Sequence, residues 1–432
     1  MTPGKSTSTI CISSVGGLFL LASFTHVFAL HDYVRAWQIF LFIGLLGSCL
    51  SWAYTRRSSA RDLVVPRVLF IAIALLIWVT LAGLYSPNTA TAPTLAAYYF
   101  VFLVVLGGTY LLAARVPLSY VMWANFFGVL LSVIFVHVEV WSNILIGWDI
   151  QEWIPRRGRD VLAIYSELGI RRAFGPAGEP GALAFYFNTL GLVGTAFFLR
   201  SSTAGSFLKI GYVALFSVAY LLTFSAGGIG SLIAGVLVGG TLLILIGRWR
   251  KSWGVPKWVM FALFPAALVI MVVGSRLGGV LDKLLFRDVR MGSGRLERWT
   301  EVVQVIAGNP ILGNGPGWYS AKGETTAVNW YLHLAAESGI PAVVLVLALF
   351  GTVLLVVLRS RVRERAILAI ALIAGYVNLS TQSGFFHPFL WLTIVVALLA
   401  VKEEGLRSRF STSTADRGLG YSPGFTSYAN RY

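Results

Sequence analysis

The sequence is poor in charged residues, which make up 12% of its 432 residues, whereas 57% are hydrophobic. Soluble domains carry about twice that share of charged side chains. The shortage of charge therefore excludes an ordinary soluble protein and predicts a chain embedded in a membrane. Cysteine is also scarce: Cys11 and Cys49 both lie in apolar stretches, which excludes a disulfide framework.

Several patterns typical of cofactor-dependent enzymes are absent as well. The sequence has no His, Cys, Asp and Glu cluster at metal-ligand spacing, no glycine-rich nucleotide loop after a strand, and no Ser-His-Asp set. The glycine-rich stretch at 225–240 is typical of helix packing instead. If the protein is an enzyme, we expect it to use no metal and no cofactor, and to act on a substrate with its own good leaving group.

Long apolar runs are what the sequence does contain. About twelve of them are long enough to cross a bilayer core of about 30 Å. The sequence therefore predicts an all-α polytopic membrane protein with spans at 10–30, 34–54, 64–85, 95–114, 119–141, 179–199, 207–224, 226–246, 257–274, 340–358, 365–382 and 384–401.

The distribution of basic residues predicts the orientation of these spans. With the N-terminus inside, most of the 34 Lys and Arg residues lie in inner loops and tails, and few of the 18 acidic residues do. The net charge of +16 then belongs to the cytoplasmic face, where it favours anionic membrane lipids and not nucleic acid. We predict cytoplasmic termini, one transmembrane domain over 1–401 and a disordered cytoplasmic tail over 402–432.

Two outer segments, at about 142–178 and 275–339, are longer than the other outer connections. The second is long for a loop without a function, and its apolar spacing predicts short helices at 295–307 and 328–339. Arginines are concentrated in both segments, and a guanidinium binds phosphate oxygens in a bidentate manner. The sequence therefore predicts a site for an anionic ligand on the outer face.

The candidate anion-binding residues are side chains of these two segments: Arg171, Arg172, Arg276, Arg290, Arg295, Arg298 and Asn329. The alternative for any single arginine is a surface ion pair with a neighbouring carboxylate, which contributes little to stability.

Three further residues are candidates for deprotonating a hydroxyl group. Glu179 lies at the mouth of the sixth span, where a carboxylate is costly unless it has a role. Its alternative role is to neutralise Arg171 or Arg172. His333 and Glu337 follow Asn329 at intervals of four, which places the three residues on one face of a helix. The alternative for His333 is a purely structural one.

The stretches SGRLERW, NPILGNGPGWY and NWYLHLAAESGI, within 293–340, resemble the bacterial O-antigen ligase and Wzy-type polymerase superfamily. RAFGPAGEPG, at 172–181, looks like the shorter second motif of that superfamily. The resemblance implies about twelve spans, with a large periplasmic loop containing short helices between spans nine and ten. It also implies glycosyl transfer at the periplasmic face of the inner membrane, without a metal.

The implied donor is a glycan linked to undecaprenyl pyrophosphate, and the acceptor is a sugar hydroxyl of another glycan or of the lipid A core. By motif position, the resemblance assigns Arg172 and Arg295 to the pyrophosphate, with Arg276 as a third contact. It further suggests a chain-length regulator and a flippase as partners.

The sequence departs from the superfamily pattern at one position that matters for function. Ligases have a histidine where this chain has Val328, immediately before Asn329. The Glu179–Pro180 step is more similar to O-antigen and exopolysaccharide polymerases. We therefore favour a polymerase over a ligase. The alternative of another class is a transporter or flippase for lipid-linked glycan, against which stand the absence of an internal two-fold repeat and the few ionisable residues in the spans.

Overall fold

The fold is known from a computed structural model that describes residues 3–25, 29–31, 34–55, 65–153, 172–246, 295–323, 327–382 and 384–416. The helices in these ranges are α1 (Pro3–Leu20), α2 (Ala36–Thr55), α3 (Val65–Tyr85), α4 (Thr91–Ala113), α5 (Leu118–Ile146), α6 (Pro180–Arg200), α7 (Ser206–Leu221), α8 (Ala226–Leu245), α9 (Arg295–Gly308), α10 (Trp318–Ala321), α11 (Trp330–Arg359), α12 (Arg365–Asn378) and α13 (Pro388–Asp416). Strands β1 (Ala29–His31) and β2 (Val34–Arg35) form a small antiparallel ribbon.

The predominantly helical architecture confirms the predicted fold class in outline. Among the described residues, six helices are long and apolar enough to cross a membrane, and four further apolar helices are shorter. The predicted span at 257–274 lies outside the described residues. The last helix continues to Asp416, into the segment for which the sequence predicts a disordered tail.

The first predicted span, 10–30, is wrong at its C-terminal end, because α1 ends at Leu20. Two hydroxyl groups explain why the helix stops there. Ser23 Oγ lies 2.6 Å from Ser132 Oγ of α5, and Thr25 Oγ1 donates to the carbonyl oxygen of Ala177 at 3.3 Å. These tertiary hydrogen bonds hold residues 21–25 in a turn, and the ribbon of β1 and β2 follows.

The helix α6 is at the centre of the fold and is buried along almost its whole length. Its neighbour α8 packs lengthwise on α12, where Gly235 lies against the carbonyl oxygen of Ile370 and the side chain of Ala374. A side chain at Gly235 would prevent this close approach. The glycine-rich stretch at 225–240 is therefore a helix-packing surface, as the sequence predicts.

Some of the described loops contact one another. Arg200 and Glu364, both from predicted inner loops, form an ion pair with 2.6 Å between Nη1 and Oε1. The predicted outer connections contact one another. Ser86 Oγ donates to the carbonyl oxygen of Asn314, and the N–H of Ala173 donates to the carbonyl oxygen of Leu222. The segments with the described candidate residues thus lie at one end of the helix bundle.

Candidate functional site

The loop 309–317 packs against a break in α11. Gly339 has φ 79° and ψ 169°, so the helix is interrupted there and resumes toward Pro341. A Cβ atom at Gly339 would collide with the carbonyl oxygen of Ile311. The loop supplies the hydrogen bonds that the break leaves unmade, because the N–H groups of Asn314 and Gly315 donate at 2.9 Å to the carbonyl oxygens of Ala336 and Glu337. The predicted end of the short helix at Gly339 is confirmed.

His333 and Glu337 form a buried pair on the N-terminal part of α11. The distance from His333 Nε2 to Glu337 Oε1 is 3.4 Å, and the Glu337 side chain is 1% exposed. The ring of Tyr319 stacks on the ring of His333. The backbone nitrogen of Tyr319 lies 3.4 Å from Glu337 Oε1. Among the described residues, Glu337 Oε2 and His333 Nδ1 have no hydrogen-bond partner. A buried carboxylate with an imidazole beside it is suited to accepting a proton.

Asn329 occupies a different position from the one that the interval of four predicts. It is the N-cap of α11, with an extended backbone, and its Oδ1 accepts a hydrogen bond from the N–H of Leu332 at 3.2 Å. Asparagine is a favoured N-cap because it satisfies an N–H group of the first helical turn. The amide oxygen of Asn329 is thus used by the helix, and its binding of pyrophosphate stays a prediction.

The helix α9 lies on the N-terminal part of α11. Trp299 Nε1 donates to the carbonyl oxygen of Ala327 at 3.0 Å, and Val302 is 4% exposed in a cluster with Tyr319 and Ala336. This contact brings the first turns of α9 beside the start of α11. Arg298, in these turns, is partly exposed, and Arg295 is described only as the first residue of α9.

The loop 172–179 forms the other side of the candidate site. Arg172 Nε donates to the carbonyl oxygen of Thr223 at 3.3 Å, just before α8 begins, and the Arg172 side chain is partly exposed. Glu179 occupies the N-cap position of α6 and is followed by Pro180 as the first helical residue. The remaining candidates lie outside the described residues: Arg171, Arg276 and Arg290.

A turn that the sequence did not single out joins the two sides. Gln382 Nε2 donates to the carbonyl oxygen of Gly181 in α6, at 2.8 Å, and to Asn378 Oδ1. The N–H of Trp330, the first residue of α11, donates to the carbonyl oxygens of Leu379 and Gln382. The turn 378–382 therefore connects α6 to α11. No sequence signal marks it, because its partners are far away along the chain.

Three helix N-termini converge on this turn. They belong to α6 and α11, through the contacts of Gln382, and to α8, whose Gly227 lies against Thr381. Each N-terminus carries a partial positive charge from the helix dipole and from its N–H groups, which favours an anion nearby. Arg172 and the first turns of α9 lie next to these N-termini, and the Arg172 guanidinium adds a positive charge there.

In the described part of the chain, two residues other than glycine have a positive φ, and both immediately precede an N-cap. Phe224 has φ 43° before Ser225, which caps α8, and Val328 has φ 53° before Asn329. A β-branched side chain is strained in this region, whereas asparagine and histidine adopt it more readily. Backbone strain of this kind is concentrated at functional sites. It also bears on position 328, where ligases of the resembled superfamily have histidine.

We expect the Val328→Asn variant to unfold at a higher temperature than the wild type, by about 1–2 °C, because asparagine relieves the strain at φ 53°. Thermal unfolding of the detergent-solubilised protein measures the shift. The matched control is Val303→Asn, an exposed position within α9, where no rise is expected. A lower midpoint for Val328→Asn than for Val303→Asn would contradict the prediction.

Comparison with known proteins agrees with this arrangement. Residues 211–347 match the model of the family described as O-Antigen ligase. The matched stretch covers about a third of the chain and contains α8, α9 and the His333–Glu337 pair. No curated protein matched the chain. The helices α8 and α9 and the N-terminal part of α11 are thus similar in sequence to the O-antigen ligase family, in a chain with six helices long and apolar enough to cross a membrane among its described residues.

Proposed function

We propose that the protein polymerises O-antigen or exopolysaccharide repeat units at the periplasmic face of the bacterial inner membrane. The donor would be a glycan linked to undecaprenyl pyrophosphate, and the acceptor a sugar hydroxyl of another lipid-linked repeat. The observation that carries this proposal is the convergence of the α6, α8 and α11 N-termini beside arginine-bearing segments within a superfamily match. A pyrophosphate is the dianionic or trianionic group that such an environment binds.

The proposed reaction needs charge stabilisation and one proton acceptor. The bond between the anomeric carbon of the donor sugar and the pyrophosphate oxygen breaks, and the acceptor oxygen forms the new glycosidic bond. Arg172, Arg295 and the helix N-termini would stabilise the negative charge of the departing undecaprenyl pyrophosphate, a role that requires no metal. The Glu337 carboxylate, with His333 beside it, would take the proton of the acceptor hydroxyl.

Glu179 remains a second candidate for the proton acceptor. It stands at the start of α6, which the turn 378–382 links to the start of α11. We favour Glu337 over Glu179 as the base, because the His333 imidazole lies beside the buried Glu337 carboxylate, with 3.4 Å between Nε2 and Oε1.

The proposed topology follows the sequence prediction. We propose twelve spans with both termini cytoplasmic, one transmembrane domain over 1–401, and periplasmic segments at about 142–178 and 275–339. The basic inner face would contact anionic lipids. A chain-length regulator and a flippase would act together with the protein, since the donor must reach the periplasmic face and the product length must be set.

A ligase is the second candidate, and the match of residues 211–347 to the O-Antigen ligase family favours it. A ligase would transfer a finished glycan to the lipid A core. Against it stands Val328, at the position where ligases have histidine. His333 does not replace that residue, since five positions along a helix correspond to a rotation of about 140°.

Deletion of the gene separates the two enzymes. We expect the deletion strain to display surface glycan of a single repeat unit, visible by gel electrophoresis of its surface polysaccharide, because a polymerase makes the chains longer. A ligase mutant would instead retain long polymer on undecaprenyl pyrophosphate. Unchanged surface polysaccharide would contradict both. Movement of lipid-linked glycan across vesicles containing the purified protein, without extension, would favour the transporter alternative.

A further inference from the structure

A buried carboxylate outside the motifs holds the loop 172–179 in place. Glu139, near the outer end of α5, is 2% exposed. Its Oε1 accepts a hydrogen bond from the N–H of Phe174 at 3.0 Å, and its Oε2 accepts one from the N–H of Gly175 at 2.7 Å. Gly175 has φ 55°. Two successive N–H groups that point at one carboxylate form an anion-binding nest, which Glu139 occupies.

The loop is fixed from two further sides. The N–H of Ala173 donates to the carbonyl oxygen of Leu222 at 2.9 Å, and Thr25 Oγ1 donates to the carbonyl oxygen of Ala177. These are bonds between neutral groups, whereas those of Glu139 are charge-assisted and about twice as strong. Glu139 thus contacts the loop at Phe174 and Gly175, two and three positions after Arg172.

We propose that Glu139 is a positioning residue of the glycosyl-transfer site. By holding Phe174 and Gly175, it fixes Arg172 at one end of the loop and Glu179 at the other. This inference rests on the function proposed above for Arg172. Glutamine in place of Glu139 keeps one acceptor but turns an NH2 group toward the second N–H, whereas aspartate keeps both carboxylate oxygens on a shorter side chain.

Transfer kinetics test the positioning role. The full-length protein in nanodiscs is assayed with the lipid-linked repeat unit extracted from the deletion strain. We expect Glu139→Gln to lower kcat/KM about tenfold to a hundredfold, with partial recovery in Glu139→Asp. Glu301→Gln, which removes an exposed carboxylate of α9, is the matched control and should retain the wild-type rate. A wild-type rate for Glu139→Gln would overturn the inference.

A double-mutant cycle distinguishes positioning from a general structural role. In an Arg172→Ala background, Glu139→Gln should lower kcat/KM by less than about twofold, because the residue that Glu139 positions is already absent. If Glu139→Gln lowered kcat/KM by the same factor in the Arg172→Ala background as in the wild type, the inference would be overturned, since Glu139 would then act independently of Arg172.

Thiol labelling tests the loop without reference to activity. Ala177 is 0% exposed, so an Ala177→Cys side chain in a Cys11→Ala, Cys49→Ala background should react slowly with N-ethylmaleimide. We expect labelling to be about tenfold faster once Glu139→Gln is added, and unchanged with Glu301→Gln. If the wild-type protein transfers no glycan, faster labelling with Glu139→Gln would leave the contact between Glu139 and the loop standing and would refute the proposed function. Unchanged labelling in an active protein would refute the inference alone.

Discussion

Glu337→Gln is expected to lower the rate of glycan transfer about 10²–10⁴-fold, the usual contribution of a general base. Glutamine has nearly the same size as glutamate and keeps an oxygen toward His333 and the N–H of Tyr319, so the fold around the break at Gly339 should persist. It cannot take the proton of an acceptor hydroxyl. The measurement is kcat for the purified protein with lipid-linked repeat as donor and acceptor.

The control for this variant is Ser338→Ala, which changes the adjacent buried side chain. The Ser338 hydroxyl has no hydrogen-bond partner among the described residues, so its removal should leave the rate within about twofold of the wild type. If Glu337→Gln were as active as Ser338→Ala, the base would have to be sought elsewhere. The equivalent substitution Glu179→Gln would then be the next to measure.

Arg295→Ala is expected to abolish long surface glycan in cells, because transfer should fall about 10²–10³-fold when one stabilising contact to the pyrophosphate is lost. Arg172→Ala should have a similar effect from the other side of the turn 378–382. Arg295→Lys should recover only part of the activity, since an ammonium group cannot bind phosphate oxygens in a bidentate manner. The chain-length pattern of the surface polysaccharide reports the outcome.

Lys322→Ala provides the matched control, as it removes an exposed basic residue of the same outer segment. The Lys322 ammonium lies 4.0 Å from the centre of the Trp318 ring, in a cation–π contact. Lys322 is more than twenty positions from Arg295 and Arg298 in the sequence. We expect the wild-type chain-length pattern for this variant. A normal pattern in Arg295→Ala cells, at a normal protein level, would remove Arg295 from the site.

Much of the fold could be predicted from the sequence, because each helix is encoded locally. The lengths of the apolar runs predicted most helices, and Gly308 and Gly339 correctly indicated where two helices end. The end of the first span could not be predicted in this way. It depends on hydrogen bonds of Ser23 and Thr25 to residues more than a hundred positions away.

The candidate site was predictable only in part, for the same reason. The interval of four correctly placed His333 beside Glu337, since both lie within one regular helix. It misplaced Asn329, because a residue at a helix boundary leaves the helical periodicity. Gln382 was missed altogether, and so was the contact of Glu139 with the loop 172–179. Each acts through contacts to backbone atoms of another segment, and such contacts leave no pattern in the sequence.

The turn 378–382 has a consequence for exchanging parts between related proteins. The stretch that matches the family ends at 347, yet the first N–H of α11 is bound by Leu379 and Gln382, which lie beyond it. The start of α6, which carries Glu179, is held by the same glutamine. A chimera that imports 211–347 alone would separate the start of α11 from these supports. Substrate preference should be transferable only when 172–182 and 378–382 are exchanged together with it.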